Sequence, residues 1–382
     1  MSLRINLNDQ STHLALAPHS LTKPTAFLRC GILTNLERYN LLLEGIEIGY
    51  RTTPYLQDHF SELNEAIEVD ARIIPNADFI EAIITLKQDE FLTFNGDILA
   101  THGKAQHEIV YSGMELIKIL NRWDLFKLNG QVLAMDFQLL TQNKQSQKLP
   151  ASCTLIGNPD FLFIEEGATL EAATLNVSTG PIYIGANSEI MEGSLIRGPF
   201  ALCEHGQLKM GAKIYGATTI GPHCKVGGEV NNVIFESYSN KSHDGFLGNG
   251  YIGSWCNIGA DTNASNLMNN YGVVDVHDYE TGKTRSSGEQ FVGLHMGDHS
   301  KCGINTMFNT GTAIGVACNV YGPGFFKKHI ASFSFGEPTR LFPYRFDKAL
   351  EGIESMMSRR GKTLSEGELR ILKHIYSLRE SF

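Results

Sequence analysis

The sequence predicts a parallel β-helix set between an α/β domain and a short helical tail. Three observations carry this fold class. Aliphatic residues recur every six positions through the middle of the chain, the 38 glycines concentrate after residue 155, and charged, helix-favouring residues return only after about residue 345. These shifts divide the 382 residues into segments 1–155, 156–335 and 336–382.

Composition narrows the function classes. Hydrophobic residues make up 42% and charged residues 19%, the profile of a folded globular chain. No apolar run approaches the length of a spanning helix. The opening MSLRINLNDQSTHLAL lacks the basic-then-apolar order of a secretory signal. A net charge of −9 without a Lys/Arg-rich run offers no phosphate footprint, which argues against a nucleic-acid partner. The seven cysteines are scattered without a C-x-x-C, as expected of reduced thiols. The expectation is a cytoplasmic protein with no membrane partner.

In the first segment, FIEAIITL and QVLAMDFQLL read as strand-like runs and RYNLLLEGI as a helix, which gives a mixed α/β domain. The second segment opens with Ile164 and Leu170. It then runs Ile184, Ile190, Ile196, Leu202, Leu208, Ile214, Ile220 and Val226, all six apart. Four residues after each of these eight stand Ser188, Ser194, Phe200, Gly206, Ala212, Thr218, Cys224 and Val230, mostly small. The beat returns with Ile252 and Ile258, then Met296, Cys302, Phe308, Ile314 and Val320. Neither a helix nor a flat strand sustains a period of six. Three hexads make one triangular coil, with each aliphatic pointing inward onto the coil below. Cys224, Cys256 and Cys318 fall on small-residue positions and read as packing, not as nucleophiles.

Between Val230 and Ile252 the ruler breaks at NNVIFESYSNKSHDGFLGNGY, which reads as an emergent loop or a modified coil face. His243 within it is a candidate general base near neutral pH. His295-x-x-x-His299 lacks a third ligand, so the pair reads as surface histidines, and Asp97 and Asp136 as ordinary turn or strand-end aspartates. The tail predicts two helices, the second opened by a Ser365-to-Glu368 capping box, serving as a cap or an oligomer contact.

KSHDGFLGNGYIGSWCNIGAD resembles the acetyltransferase half of the bifunctional N-acetylglucosamine-1-phosphate uridylyltransferase/glucosamine-1-phosphate acetyltransferase family. GGEVNNVIFESYSNKSHDGFLG and GEQFVGLHMGDHSKCGINTMFNTGT resemble more closely a group of sugar-nucleotidyltransferase-like proteins with the same β-helix. The resemblance implies a left-handed helix, a homotrimer with sites between neighbouring β-helices, acetyl-CoA as cosubstrate, and a sugar phosphate or nucleotide sugar as acceptor. It places His243 on the general base, Phe246 on a substrate-side tyrosine and Asn257 near the amino sugar. Ala260 and Asn266 fall on acetyl-CoA contacts. The family's phosphate-binding lysines are replaced here, with Lys241 the nearest substitute.

PHSLTKPTAFLRCGILTNLERY resembles the opening of the nucleotidyltransferase-like group, with Lys23 and Arg29 carried over as candidate phosphate contacts. The glycine-rich phosphate loop of active sugar nucleotidyltransferases has no counterpart, so the domain reads as sugar-nucleotide-binding or degenerate, with Mg²⁺ required only if it is active. Three readings follow: an acyltransferase, a sugar-1-phosphate nucleotidyltransferase using the β-helix for assembly, and a non-catalytic ligand-binding trimeric scaffold.

Overall fold

The structure, a computed structural model, describes residues 3–379. The N-terminal domain is built on a six-stranded mixed sheet. Its parallel core pairs Arg4–Asn8 with both Glu47–Arg51 and Ile67–Asp70. Ile5, Leu7 and Val69 meet Phe79 and Ile83 in the core beneath it.

The two runs expected as strands here are helices. All but the last two residues of FIEAIITL lie in Ala77–Ile84, and QVLAMDFQLL lies in Asn129–Thr141. A continuous apolar run has no diagnostic period, and the deciding signals are local. Asn76 caps the first helix by accepting from the Phe79 amide at 2.9 Å.

From Thr154 onward the chain coils into a parallel β-helix with three walls. The first wall stacks Ile182–Ile184, Phe200–Leu202 and Thr218–Ile220 in register. The second runs through Gln207–Leu208, Lys225–Val226, Asn240–Lys241 and Asn257–Ile258. The third runs through Thr174–Asn176, Leu195–Arg197 and Lys213–Tyr215. The six-residue series from Ile184 to Val226 fills one continuous core. Small residues at the corners are chosen for hydrogen bonding as well as size. Buried Ser188 and Ser194 donate to the carbonyls three residues back, Gly185 at 2.6 Å and Met191 at 2.9 Å.

One corner of this coil holds a column of left-handed residues. Asn187, His205, His223, Tyr238, Trp255, His299, Ala317 and Phe333 occupy equivalent positions in successive coils, all with φ between 54° and 63°. Rings from His205 to Trp255 stack along it, ending with Tyr238 on Trp255 at 4.2 Å and 6°.

The break in the ruler is not an emergent loop. Glu229–Phe235 and Phe246–Ile252 are seven-residue strands that run across a corner and join the third wall to the first. The coil between Val226 and its partner Lys241 is shortened to fifteen residues from the usual eighteen. The true excursion comes later. The chain leaves the helix after Asn266 and returns at Gly293, beside Asn249, whose carbonyl accepts from Gly293 at 2.7 Å. Between these points an antiparallel hairpin, Asp275–His277 with Thr284–Ser286, packs against the N-terminal domain. Val274, Val276 and Val292 there meet Trp123 and Phe126, and Arg285 lies 4.7 Å over the Trp123 ring.

The solenoid ends in an antiparallel pair, Ser334–Glu337 with Arg340–Pro343, which covers the last edge of the second wall. The tail forms the helices Phe346–Ser358 and Glu366–Ser377, the latter with the expected capping box. These helices pack beside the left-handed corner around Trp255, Ala317 and Phe333, so the hairpin, not the helical tail, is the cap.

Candidate functional site

His243 is exposed, in the turn from the second wall to the third. Both Asn240 and Leu247 pair with residues seventeen positions on, so Ala260 stands directly below His243 and Asn266 below Asn249. The Asn266 amide donates to Asn249 Oδ1 at 2.6 Å, and the Phe246 amide donates to Asn263 Oδ1 at 2.8 Å. His243 and Ala260 thus stand at the corner where the third wall begins, whereas Phe246 and Asn266 meet over Gly248 toward its other end. Asn257 is separate: it lies on the second wall between Asn240 and Lys301, which bond to the tail through Arg360 and Gly352.

The turn under His243 has no spare room. A Cβ at Gly228 would come 2.8 Å from the His243 carbonyl, the Asp244 Cα and the Lys241 Nζ. Lys241 explains the last of these contacts. It occupies an inward rung between Val226 and Ile258, is 1% exposed, and donates to the carbonyls of Gly227 at 3.1 Å and His243 at 2.9 Å. Burial pushes its ammonium down to about 8. The expected contact with a sugar phosphate is replaced by an internal brace.

Lys23 and Arg29 also have another use. The segment that carries them lies on the outer face of the first wall. Lys23 pairs with Asp298 at 2.9 Å. The Arg29 amide donates to Glu236 at 2.8 Å and to the Tyr251 hydroxyl at 3.0 Å. The Arg29 guanidinium bonds the Ile32 carbonyl and pairs with Glu37 at 3.3 Å. It borders a cavity of about 560 Å³ that Glu37, Glu165 and Glu204 also line. Three carboxylates against one guanidinium make this a poor seat for nucleotide phosphates.

His295 and His299 are not surface residues. His295 is fully buried, its Nδ1 3.0 Å from His19 Nε2, and burial holds both imidazoles well below their ordinary value. His299 is half-buried beside Asp298, and burial lowers it to about 4. Asp136 pairs with buried Arg38 and accepts the Ile32 and Leu33 amides. Asp97 pairs with Lys118. Among the described residues, no three His, Cys, Asp or Glu converge to hold a metal ion. Burial pushes the Cys30, Cys203 and Cys224 thiols up to about 12, far from nucleophilic.

Sequence reasoning missed a crevice of about 210 Å³ at the carboxyl ends of the parallel strands Arg4–Asn8 and Ile67–Asp70. This is where open α/β sheets place ligands. Asn8, Glu68, Asp70 and Arg72 line it, and Asp70 is paired with Arg72 at 2.8 Å.

Fold and site together define a β-helix protein with an accessory α/β domain. Residues 5–145 match the sugar nucleotidyl transferase family model. The resemblance read from the sequence extends to curated relatives. Bifunctional protein GlmU of Cyanothece sp. is 26% identical over 181 residues, covering 42% of this chain and 39% of that protein. GlmU of Trichormus variabilis is 27% identical over 184 residues, with the same shares. The chain spans about two fifths of the length of these relatives. Among solved structures, the polysialic-acid-specific acetyltransferase NeuO aligns at a TM-score of 0.32 and 15% identity, covering 56% of this chain and 99% of that one. UDP-N-acetylglucosamine acyltransferase of Francisella novicida aligns at 0.21 and 12%, covering 61% and 75%. No helix among the described residues is long and apolar enough to cross a membrane.

Proposed function

We propose that the chain is an acyl-CoA-dependent acyltransferase acting on an amino sugar phosphate or nucleotide sugar, with His243 as general base. The observation that carries this reading is the exposed His243 in register over Ala260, at the head of the third wall that also carries Phe246 and Asn266. A neutral amine attacks the thioester carbonyl carbon while His243 takes its proton. Collapse of the tetrahedral oxyanion breaks the carbon–sulfur bond, and the departing thiolate is protonated by the imidazolium. No covalent protein intermediate is required, in keeping with the raised thiols of Cys30, Cys203 and Cys224. Phe246 supplies a ring where the family has a hydroxyl, so the acceptor is held there by packing.

The N-terminal domain covers the first wall and the tail borders the second, whereas the third exposes Leu195, Tyr215 and Phe325. That open wall supports a site completed by a neighbouring β-helix in a homotrimer. The N-terminal domain is a sugar-nucleotide-binding module, a reading supported by the family match over 5–145 and not by Lys23 or Arg29, which dock the domain on the first wall.

The test is a screen for thiol release from acetyl-CoA across amino sugars and their phosphates. His243→Ala is expected to lower turnover at least about 100-fold. If the wild-type chain neither binds acyl-CoA nor releases thiol, the reading fails. The family match over 5–145 and the crevice beside Asp70 favour a second reading, sugar-1-phosphate nucleotidyl transfer. Pyrophosphate release from a nucleoside triphosphate and a sugar phosphate would establish it.

A further inference from the structure

A second cavity, of about 270 Å³, lies far along the left-handed corner from His205, where three parts of the chain meet. Thr22 and Lys23 reach it from the N-terminal segment, Trp255 and His299 from successive coils, and Leu372 from the last helix. We propose that this cavity is a binding site for a single uncharged sugar ring.

Size sets the first limit. Drug-sized ligands occupy about 300–1,000 Å³, so this space suits one ring and not a nucleotide. Charge sets the second. Asp298 accepts from the Thr22 hydroxyl at 2.6 Å, the Ser254 amide at 2.8 Å and the Lys23 ammonium at 2.9 Å. Lys23 is therefore neutralised, and the remaining ionised wall group, Glu368, is a carboxylate that caps its own helix. A phosphate would meet that carboxylate and an ammonium already paired with Asp298.

Unused hydrogen-bonding capacity points to the ligand. An ammonium has three N–H donors. Lys23 gives one to Asp298 and one to the Ser254 hydroxyl at 3.2 Å, leaving the third uncommitted. His299 Nδ1 is buried without a protein partner. Its imidazole stays neutral at ordinary pH, so the ring offers one donor and one acceptor. Beside these polar atoms lies the Trp255 indole, the last ring of the stack and rigidly backed by Tyr238. A flat apolar surface next to neutral donors and acceptors matches a pyranose, which has a C–H face and a hydroxyl rim. Exposed His59 marks the mouth. The site uses no atom of the His243 turn, and its test is independent of acyl transfer.

Saturation-transfer NMR on the full chain with glucose, N-acetylglucosamine and glucose 1-phosphate tests the proposal. At least one uncharged sugar is expected to receive saturation at its ring C–H protons. Leu372→Phe, which narrows the cavity and leaves every polar wall group in place, is expected to weaken binding at least tenfold. In a Trp123→Phe background Trp255 is the remaining indole, and the same sugar is expected to shift its emission; this reading holds even if Leu372→Phe folds poorly. Glucose 1-phosphate binding as tightly as glucose would overturn the uncharged class. No transfer to either uncharged sugar, or transfer unaltered by Leu372→Phe together with unchanged Trp255 emission, would overturn the site.

Discussion

Lys241 shows what a single residue can conceal. Its neighbours in the column, Val226 and Ile258, are aliphatic, and a lysine between polar residues reads as solvated loop. The shortened coil turns that side chain inward, where two carbonyls receive its protons. Its folded value of about 8 lies below the 10.5 of a free lysine. Between these values the unfolded chain holds a proton that the folded chain has released. The stability contributed by this group therefore rises as pH climbs through that window. The melting temperature of the wild type, relative to Lys241→Met, is expected to increase from about pH 7 to about pH 10. A constant difference across that range would show that the amine does not titrate in the fold. His243 itself was legible because its sequence neighbours carry a resemblance. The brace beneath it was not, because nothing local distinguishes an inward lysine from an outward one.

At the level of elements, the helix Asn129–Thr141 is held to the turn at Ile32–Leu33 by Asp136. Both Asp136 and its partner Arg38 are 2% exposed. Removing one member of such a pair leaves an uncompensated charge, and Asp136→Ala is expected to cost about 3–5 kcal/mol in urea unfolding. A loss below about 1 kcal/mol would mean that water reaches Arg38. The six-residue rungs were readable because each inward aliphatic repeats without exception from Ile184 to Val226. The helices at Ala77 and Asn129 were not, since their apolar runs are too continuous to show a period. A usable signal was present in the first wall: Ile182, Tyr183 and Ile184 are all buried, the mark of a strand covered on both faces. Phe163 and Tyr183, read outward, pointed to a cover.

For the whole molecule, that cover is the N-terminal domain. Tyr183, Ala201, Ile234 and Tyr251 on the first wall pack against Leu16, Leu28, Leu133 and Phe137. A fragment spanning 150–379 would bare these residues as one apolar face and is expected to sediment as aggregate. A soluble, monodisperse fragment would show that the wall needs no partner. The two halves were separable in the sequence because composition changes between them. Their contact was invisible there because Lys23, Arg29 and their partners lie more than two hundred residues apart.

The excursion between Asn266 and Gly293 has a consequence for how the surface can diversify. It departs from and rejoins the same corner, with the Val292 amide donating to the Asn266 carbonyl at 3.0 Å. The coils on either side keep their register whatever lies between, as Tyr251 pairing directly with His295 shows. The segment is a cassette: its length and chemistry can change without rephasing a single rung. Its roots stand beside Asn249 and Asn266, so variation there alters what surrounds Phe246 while the scaffold stays fixed.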